Sequence, residues 1–596
     1  MPHSRLSYLV CAAVFAALTL YLTGNFSEWG LWYSLEPSFR AQSAQVAAGH
    51  FSLTQNPFLV IHDWAWTRGS AQQIWGLGVP LLRLPFDLLW QQLFSQPFPD
   101  RIALLLLALI SGAAATKGAA VFCKNAPRAQ QLALHLSLLI LIFCAPPLIG
   151  LLGGRFFVYE EAITWGYFWV WLALGLSWLS TNQKKPALFF FASLCSGFSI
   201  FLRPTLLLYG AVFFAFAALS RQRPFWVRGM GFFVFCCPLA AWLATNMLRF
   251  GHPLEFGHAL SLSDQPLLNL ALKFGSPFER ETTLSAGREL IAALFFSRDA
   301  SNGFDFFRSL FFPGQSAAPR FREFYFFSYD CLMLSLLALA WIETTGAFAK
   351  ALRAKTHPGF AANCGLASFA ISLALFLFYL RSPSLASRFS ADFAPAFSLA
   401  VYSLVYSVIT ASGVPYSRCK SIAAITLLGG LHVWWLTQSF QGPEHQWQSA
   451  TQVPSEALLQ TGAELPLISK EYICPLAGRP FGMIHGASGW DLGASCSVRG
   501  ATPLLMPWSE CLVIDLSTTQ PSAPTLLVKR ELTSLSLVRF RTIEEGLELT
   551  FCTPPSERPS SKTPPALFWI AWTDPWAPSP EPLPFRVARI ATGERG

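Results

Sequence analysis

LWYSLEPSFRAQSAQVAAGHFSL (residues 31–53) and NPFLVIHDWAWTRGSAQQIWGLGVPLLRLPFDLL (residues 56–89) decide how this chain is read. The two segments lie between a first apolar run at 7–24 and a second at 74–95. A carboxylate, Glu36, comes soon after the first run. The segment that follows is rich in Trp, Gly and Pro and is neither an ordinary loop nor an ordinary membrane span. Segment 74–95 is hydrophobic enough to cross a bilayer, but Pro80, Pro85, Arg83 and Asp87 interrupt it. An ionised side chain at the bilayer centre costs roughly 3 kcal/mol on insertion scales. The segment therefore reads as a helix lying at the interface or half inserted.

Composition sets the wider frame. The chain has 596 residues, 53% hydrophobic and 13% charged, with a mean hydropathy of +0.42. A soluble domain carries about 25% charged residues, so this is a polytopic membrane protein. Its 54 Phe and 21 Trp suit lipid-facing helices and interfacial belts. A crossing needs about 20 mostly apolar residues. Such runs occur near 7–24, 102–122, 131–151, 163–181, 186–202, 204–220, 228–247, 326–346, 361–380, 391–411 and 420–439, about 11 spans plus interfacial helices. The first span reads as a retained anchor, because no small-residue cleavage site follows it.

The basic residues support this count. With the N-terminus inside, the inner connections hold Arg5; Lys124 and Arg128; Lys184 and Lys185; Arg221, Arg223 and Arg228; Lys350, Arg353 and Lys355; Arg418 and Lys420. Every inner loop is then basic, as the positive-inside rule asks. A crossing at 74–95 would invert the loops after it. The net charge of +9 is thus spread over topology-setting loops, and no nucleic-acid patch is implied. The outer pieces are 25–101, 152–162, 248–325 and a tail from 440. A short Arg203-Pro204 turn also joins two spans on the outer side.

Residues 1–440 form the membrane domain and 441–596 an extracytoplasmic β-rich domain. The runs CLVIDLS (511–517), TLLVKREL (525–532), SLVRFRTI (536–543), LELTFC (547–552), ALFWIAW (566–572) and FRVARIA (585–591) alternate between turn signals and predict a β-sandwich or jelly roll. Nine of the 13 Cys fall at or before Cys419, mostly in apolar spans. The tail holds Cys474, Cys496, Cys511 and Cys552, and four Cys allow three pairings. Cys474 with Cys496 is favoured.

Several outer residues are candidates for chemistry, each with a plainer role beside it. Glu36-Pro37 would also open a helix from Ser38. Asp63, beside His62, is a second acid or a metal ligand, or loop packing among tryptophans. Glu160 and Glu161 are adjacent, so they point to different helix faces; acids also favour a first helical turn. Arg155 would meet a phosphate or pair with them. Arg381 and Arg388 run against the positive-inside bias; Arg binds phosphate through a planar fork, and it also snorkels at interfaces. Asp392 sits just inside a span, where an ionisable group is a functional candidate. Asn246 and Arg249 leave a span on the outer side and would contact substrate, or shape the exit. There is no phosphate-cradling Gly loop, CxxC pair, GxSxG or zinc-type His spacing, so a nucleotide-driven pump is disfavoured.

Taken in order, LEPSFRAQSAQVAAGHFSL, GSAQQIWGLGVPLLRLPFDLL, YEEAITWG, NMLRFGHPLEFG and RFSADFAPAF resemble blocks of the GT-C superfamily of membrane glycosyltransferases, closest to its bacterial mannosyltransferase-like and aminoarabinose-transferase-like members. The resemblance spans roughly residues 7–440. It implies a GT-C-like helical bundle that takes a sugar from a polyprenyl-phosphate donor and gives it to a lipid, glycan or protein acceptor at the outer face of a bacterial inner membrane. Membrane lipids are the other partner. Glu36 matches the acidic first-loop residue, the base; Asp63, Glu160 and Glu161 are further catalytic candidates. Arg388 lies where the lipid phosphate would be held, with Arg381 and Arg155 as companions. Many members carry Asp, or Asp-Glu, where this chain has Leu35-Glu36. Some members use a divalent metal and others none, so metal stays open. The alternatives are a flippase of lipid-linked sugars and a non-catalytic scaffold with a carbohydrate-binding tail.

Overall fold

The structure, a computed structural model, describes residues 33–34, 38–55, 64–143, 158–182, 186–218, 223–261, 283–295, 321–323, 329, 331–354, 359–380, 382, 384–386, 389–410, 482–483, 490–491, 501–506, 511–518, 526–530, 533–543, 546–552, 566–572 and 585–593. Its helices are α1 (Ser38–Ala47), α2 (Gly78–Phe94), α3 (Asp100–Cys123), α4 (Arg128–Phe143), α5 (Val158–Asn182), α6 (Pro186–Leu202), α7 (Leu207–Ala218), α8 (Phe225–Phe250), α9 (Thr283–Phe295), α10 (Cys331–Arg353), α11 (Phe360–Leu380) and α12 (Ser390–Thr410). Six of them, α3, α5, α8, α10, α11 and α12, are long and apolar enough to cross a membrane; α4, α6 and α7 are shorter apolar helices. Nine of the expected spans thus have a helix among the described residues, while 7–24 and 420–439 lie outside them.

α5 is the axis of the bundle. Its apolar window is 94% buried, against 28% for α8 and 22% for α10, so α8 and α10 offer most of their surface to lipid. Small residues let α5 approach α3 closely: a Cβ on Gly118 would stand 2.7 Å from the Gly175 carbonyl oxygen, and one on Gly175 would strike the Ala114 backbone. Without a hydrophobic drive between helices in lipid, such contacts supply the packing.

α2 behaves as its sequence suggests. It is not among the crossing helices. Leu88, Leu89 and Leu93 are exposed, whereas Arg83 and Asp87 on another face are buried. An apolar outer face over a polar inner face is the design of an interfacial helix.

The ends of the helices fall into the two groups expected from the basic loops. Those read as outer converge: α3 and α5 start beside the first loop, the α6–α7 turn meets the start of α12, and Arg249 near the end of α8 bonds the Gln73 carbonyl. Those read as inner converge at the far end, where the Tyr406 hydroxyl donates to the Phe122 carbonyl (3.1 Å) and Arg223 bonds the Ser180 carbonyl.

All six strand runs read in the tail are strands. They belong to a nine-stranded sheet in the order β5 (Gly482–Met483), β7 (Ala501–Met506), β12 (Ala566–Trp572), β9 (Leu526–Arg530), β10 (Thr533–Ile543), β11 (Gly546–Cys552), β8 (Cys511–Thr518), β13 (Phe585–Gly593), β6 (Trp490–Asp491). β10 pairs with β9 over 533–535 and with β11 from Ser536, with a bulge between Leu537 and Arg539. A strand that changes partners at a bulge is how a sheet turns a corner into two layers. Cys511 and Cys552 face each other across β8 and β11 and form a disulfide. Cys474 and Cys496, expected to pair with each other, lie outside the described residues. Earlier in the chain, β1 (Trp64–Thr67) and β2 (Ser70–Gln73) make a hairpin in the first outer loop, and β3 (Phe321–Glu323) pairs in parallel with β4 (Ser384–Ala386).

Candidate functional site

The polar groups at the end of the bundle read as outer gather in two centres, one joined to α5 through Glu161 and one around Asp392. The first is built from the start of α3. Pro99 precedes Asp100, which opens the helix with its carboxylate in the first turn, where the helix dipole favours it. Asp100 is fully buried and paired with both Arg40 of α1 and Arg83 of α2. It also accepts the Ser34 backbone N–H at 2.6 Å, and Arg40 donates to the Ser34 carbonyl at 3.2 Å.

Arg83 is the hub of this centre. Beyond Asp100 it reaches Asp87 at 3.1 Å, Glu161 of α5 at 3.4 Å and the Phe98 carbonyl at 2.7 Å. Asp87 in turn accepts the Phe98 N–H at 3.0 Å. Two arginines thus hold three buried carboxylates, and four separate pieces of chain are clamped together. An isolated charge cannot be buried at tolerable cost, whereas a paired one can.

The second centre surrounds Asp392, in the first turn of α12. Its Oδ2 takes Arg203 Nη2 at 3.0 Å, the Thr205 hydroxyl at 3.1 Å and the Tyr379 hydroxyl. Pro395 lacks an N–H and disturbs the first turns of α12. The Tyr209 hydroxyl enters the gap: it donates to the Asp392 carbonyl and accepts the Ala396 N–H at 3.3 Å. The Phe389 ring lies 6.0 Å from the Arg203 guanidinium. Arg203 itself follows the end of α6, whose last residues are pinned by the first loop. A Cβ on Gly78 would come within 2.7 Å of the Phe201 and Leu202 backbone, and one on Gly76 would strike the Phe201 carbonyl.

Glu160 and Glu161 part as adjacent helical residues must. Glu161 turns to Arg83. One turn on from Glu160, Ile163 packs against Ala391, next to Asp392. Both carboxylates are buried.

Asn246 and Arg249 are also buried and engaged within the fold. Asn246 donates to the Pro253 carbonyl at 3.2 Å, closing the exit from α8. Arg249 bonds the Gln73 carbonyl, approaches Gln72 Oε1 at 3.4 Å and covers the Phe250 ring at 4.6 Å. Arg249 thus holds the β1–β2 hairpin in place.

Glu36, Asp63, Arg155, Arg381 and Arg388 lie outside the described residues. The nearest described residues, Ser34 and Ser38, are both fastened: Ser34 to Asp100, and Ser38 by the Trp64 indole N–H at 3.2 Å. Among the described residues no three His, Cys, Asp or Glu side chains are grouped so as to hold a metal ion. The carboxylates of the first centre are spent on arginines.

Sequence reading missed Arg40, Arg83 and Asp100 as a unit and took Arg203 for a plain turn. Arg83 and Asp87, four residues apart inside an apolar helix, were the available signal, since such a pair shares one helix face. Asp392 was visible as an acid inside a span.

No family model matches the chain, and no curated protein matches it significantly. Among solved structures the chain is similar to ArnT from Cupriavidus metallidurans bound to undecaprenyl phosphate, with 10% identity, 93% of this chain and 99% of that chain covered, and a TM-score of 0.37. That likeness assigns no residue a role.

Proposed function

We propose that this chain is a membrane glycosyltransferase that moves a sugar from a polyprenyl-phosphate donor to a lipid, glycan or protein acceptor at the outer face of a bacterial inner membrane. One observation carries the reading: the first outer loop is clamped, through Arg40, Asp100, Arg83 and Glu161, onto the outer ends of α3 and α5. The Leu35-Glu36 step lies between Ser34, bonded to Asp100 of that clamp, and Ser38, bonded by the Trp64 indole of β1. A base for glycosyl transfer has to be held rigidly beside the acceptor's proton, and the described residues Ser34 and Ser38 that bracket this step are each fastened.

In this reading Glu36 takes the acceptor proton, and Glu160 and Asp63 orient the acceptor. Glu161, already neutralised by Arg83, secures the frame. Arg388, Arg381 and Arg155 face the donor phosphate, Asn246 and Arg249 shape the substrate side, and the apolar spans seat the donor's lipid chain. The N-terminus is cytoplasmic. Residues 441–596 form a domain outside the cytoplasm, which suits a disulfide, since such bonds persist in oxidising compartments. The buried ion pairs Arg40–Asp100, Arg83–Glu161 and Arg203–Asp392 all lie at the outer end. A flippase would carry ionisable groups deep along a path through the bundle.

The test is sugar transfer by purified protein in lipid, with a panel of radiolabelled polyprenyl-phosphate sugars and membrane extract as acceptor. Wild type transfers, and Glu36→Gln loses at least about 100-fold, the usual scale of a missing general base. Equal rates in both would remove Glu36 from the centre. Donor binding with no turnover by wild type would point to transport or scaffolding.

A further inference from the structure

The geometry points to Arg203 as an oxyanion-binding residue that takes a phosphate group at the outer end of the bundle. The inference rests on the glycosyltransferase reading only in naming that phosphate as the donor's.

Arg203 is held as a rigid donor. Nη2 is fixed by Asp392, and Thr205 and Tyr379 share the same carboxylate oxygen, so the negative charge of Asp392 is spread over three partners. From the other side Gly76 and Gly78 press on the backbone of Phe201 and Leu202, just before it. The side chain is only 11% exposed. Yet the donors on Nε and Nη1 are buried and make no hydrogen bond among the described residues. Native structures satisfy nearly all buried polar groups, and one that stays unsatisfied calls for a partner.

The chemistry of that partner follows from the donors. Guanidinium carries N–H groups and positive charge and has no acceptor, so its complement is an anionic oxygen. Trp75, which precedes Gly76 on the segment that presses on Phe201, also has a buried N–H without a hydrogen bond among the described residues. Depth narrows the choice. Arg203 stands immediately after apolar α6, at the polar boundary of the bilayer, where lipid phosphates lie. An ion pair with Asp392 alone would need only a lysine; the planar fork with donors to spare is what phosphate recognition uses.

The test uses the full chain in a phosphate-free maltoside micelle, with undecaprenyl phosphate, undecaprenol and inorganic phosphate as probes and tryptophan fluorescence and thermal unfolding as readouts. Wild type binds undecaprenyl phosphate at least about tenfold more tightly than undecaprenol, the scale of one charge-assisted hydrogen bond. R203K keeps the charge beside Asp392, unfolds at the wild-type temperature without ligand, and loses at least about tenfold in affinity for undecaprenyl phosphate. R203Q, which keeps an N–H for Asp392, gives the same loss if the lysine variant does not fold. Inorganic phosphate that displaces the lipid supports the site; if it binds as tightly as the lipid, the site stands with free phosphate as its ligand. Unchanged lipid-phosphate affinity in R203K or R203Q, or equal binding of undecaprenyl phosphate and undecaprenol, overturns the inference. Because the readout is binding, the two proposals fail separately. Loss of binding in R203K with no transfer by wild type removes the enzyme and keeps the site, and unaltered binding in R203K with transfer by wild type does the reverse.

Discussion

The two polar centres at the outer end use the same residue types for opposite ends. Around Arg83 the acids outnumber the bases. One guanidinium reaches Asp87, Asp100, Glu161 and the Phe98 carbonyl, and a second, Arg40, doubles the grip on Asp100. Around Asp392 the donors outnumber the acids. One carboxylate oxygen receives Arg203, Thr205 and Tyr379, and donors on Arg203 are left over. A guanidinium that engages all its donors, as Arg83 does, is a clamp. One that retains them is built to receive something. The comparison separates groups that hold the fold from groups that meet a ligand, although both are buried ion pairs.

The largest expected effect breaks the clamp. Arg83→Met leaves three buried carboxylates without their shared cation, and breaking a buried pair typically costs about 3–5 kcal/mol. Folded, monodisperse protein should collapse in yield, and undecaprenyl phosphate should not rescue it. If Arg83→Met folds normally and only ligand affinity falls, the roles of the two centres are exchanged.

A second variant sharpens the comparison as a control remote from both centres. The Cys511–Cys552 disulfide spans 41 residues. Loop-closure entropy assigns it about 4 kcal/mol. Cys511→Ser together with Cys552→Ser should therefore lower the unfolding transition of the tail and leave the helical transition where it is, followed by calorimetry. A joint shift would mean that the tail and the bundle unfold as one unit.

Gly78→Ala probes the link between the centres, since the first loop presses on the α6 end that carries Arg203. The added methyl meets the Phe201 and Leu202 backbone as well as the Leu202 side chain, and overpacking of this kind costs about 1–3 kcal/mol. Both thermal stability and phosphate affinity should fall. A drop in stability alone would uncouple the loop from Arg203. The smallest effect is expected of Tyr209→Phe, which removes the hydroxyl bridging Asp392 and Ala396. Its two lost hydrogen bonds are together worth about 1–2 kcal/mol, read as a shift of a few degrees.

How much of this was legible in the sequence depends on range. Apolar runs mark helices because a span is a local property, and the six tail strands were read to within a few residues for the same reason. That α2 is no ordinary span was legible too, since Pro80, Pro85, Arg83 and Asp87 interrupt its apolar run. The centres were not legible as units. Arg40 and Asp100 lie 60 residues apart, Arg83 and Glu161 78, Arg203 and Asp392 189. Charge and periodicity say that a buried acid needs a partner, but not which helix end will bring it. Arg203 was hidden for a further reason: Arg-Pro after an apolar helix is ordinary turn chemistry, and only the unspent donors distinguish it.

The most direct measurement of the central claim is thermal unfolding of Arg83→Lys and Arg203→Lys side by side, each with and without undecaprenyl phosphate. The account predicts a crossed result. Arg83→Lys unfolds well below wild type but is still stabilised by the lipid, whereas Arg203→Lys matches wild type without lipid and gains little from it. The opposite crossing, or equal behaviour of the two variants, would contradict the division into clamp and ligand site.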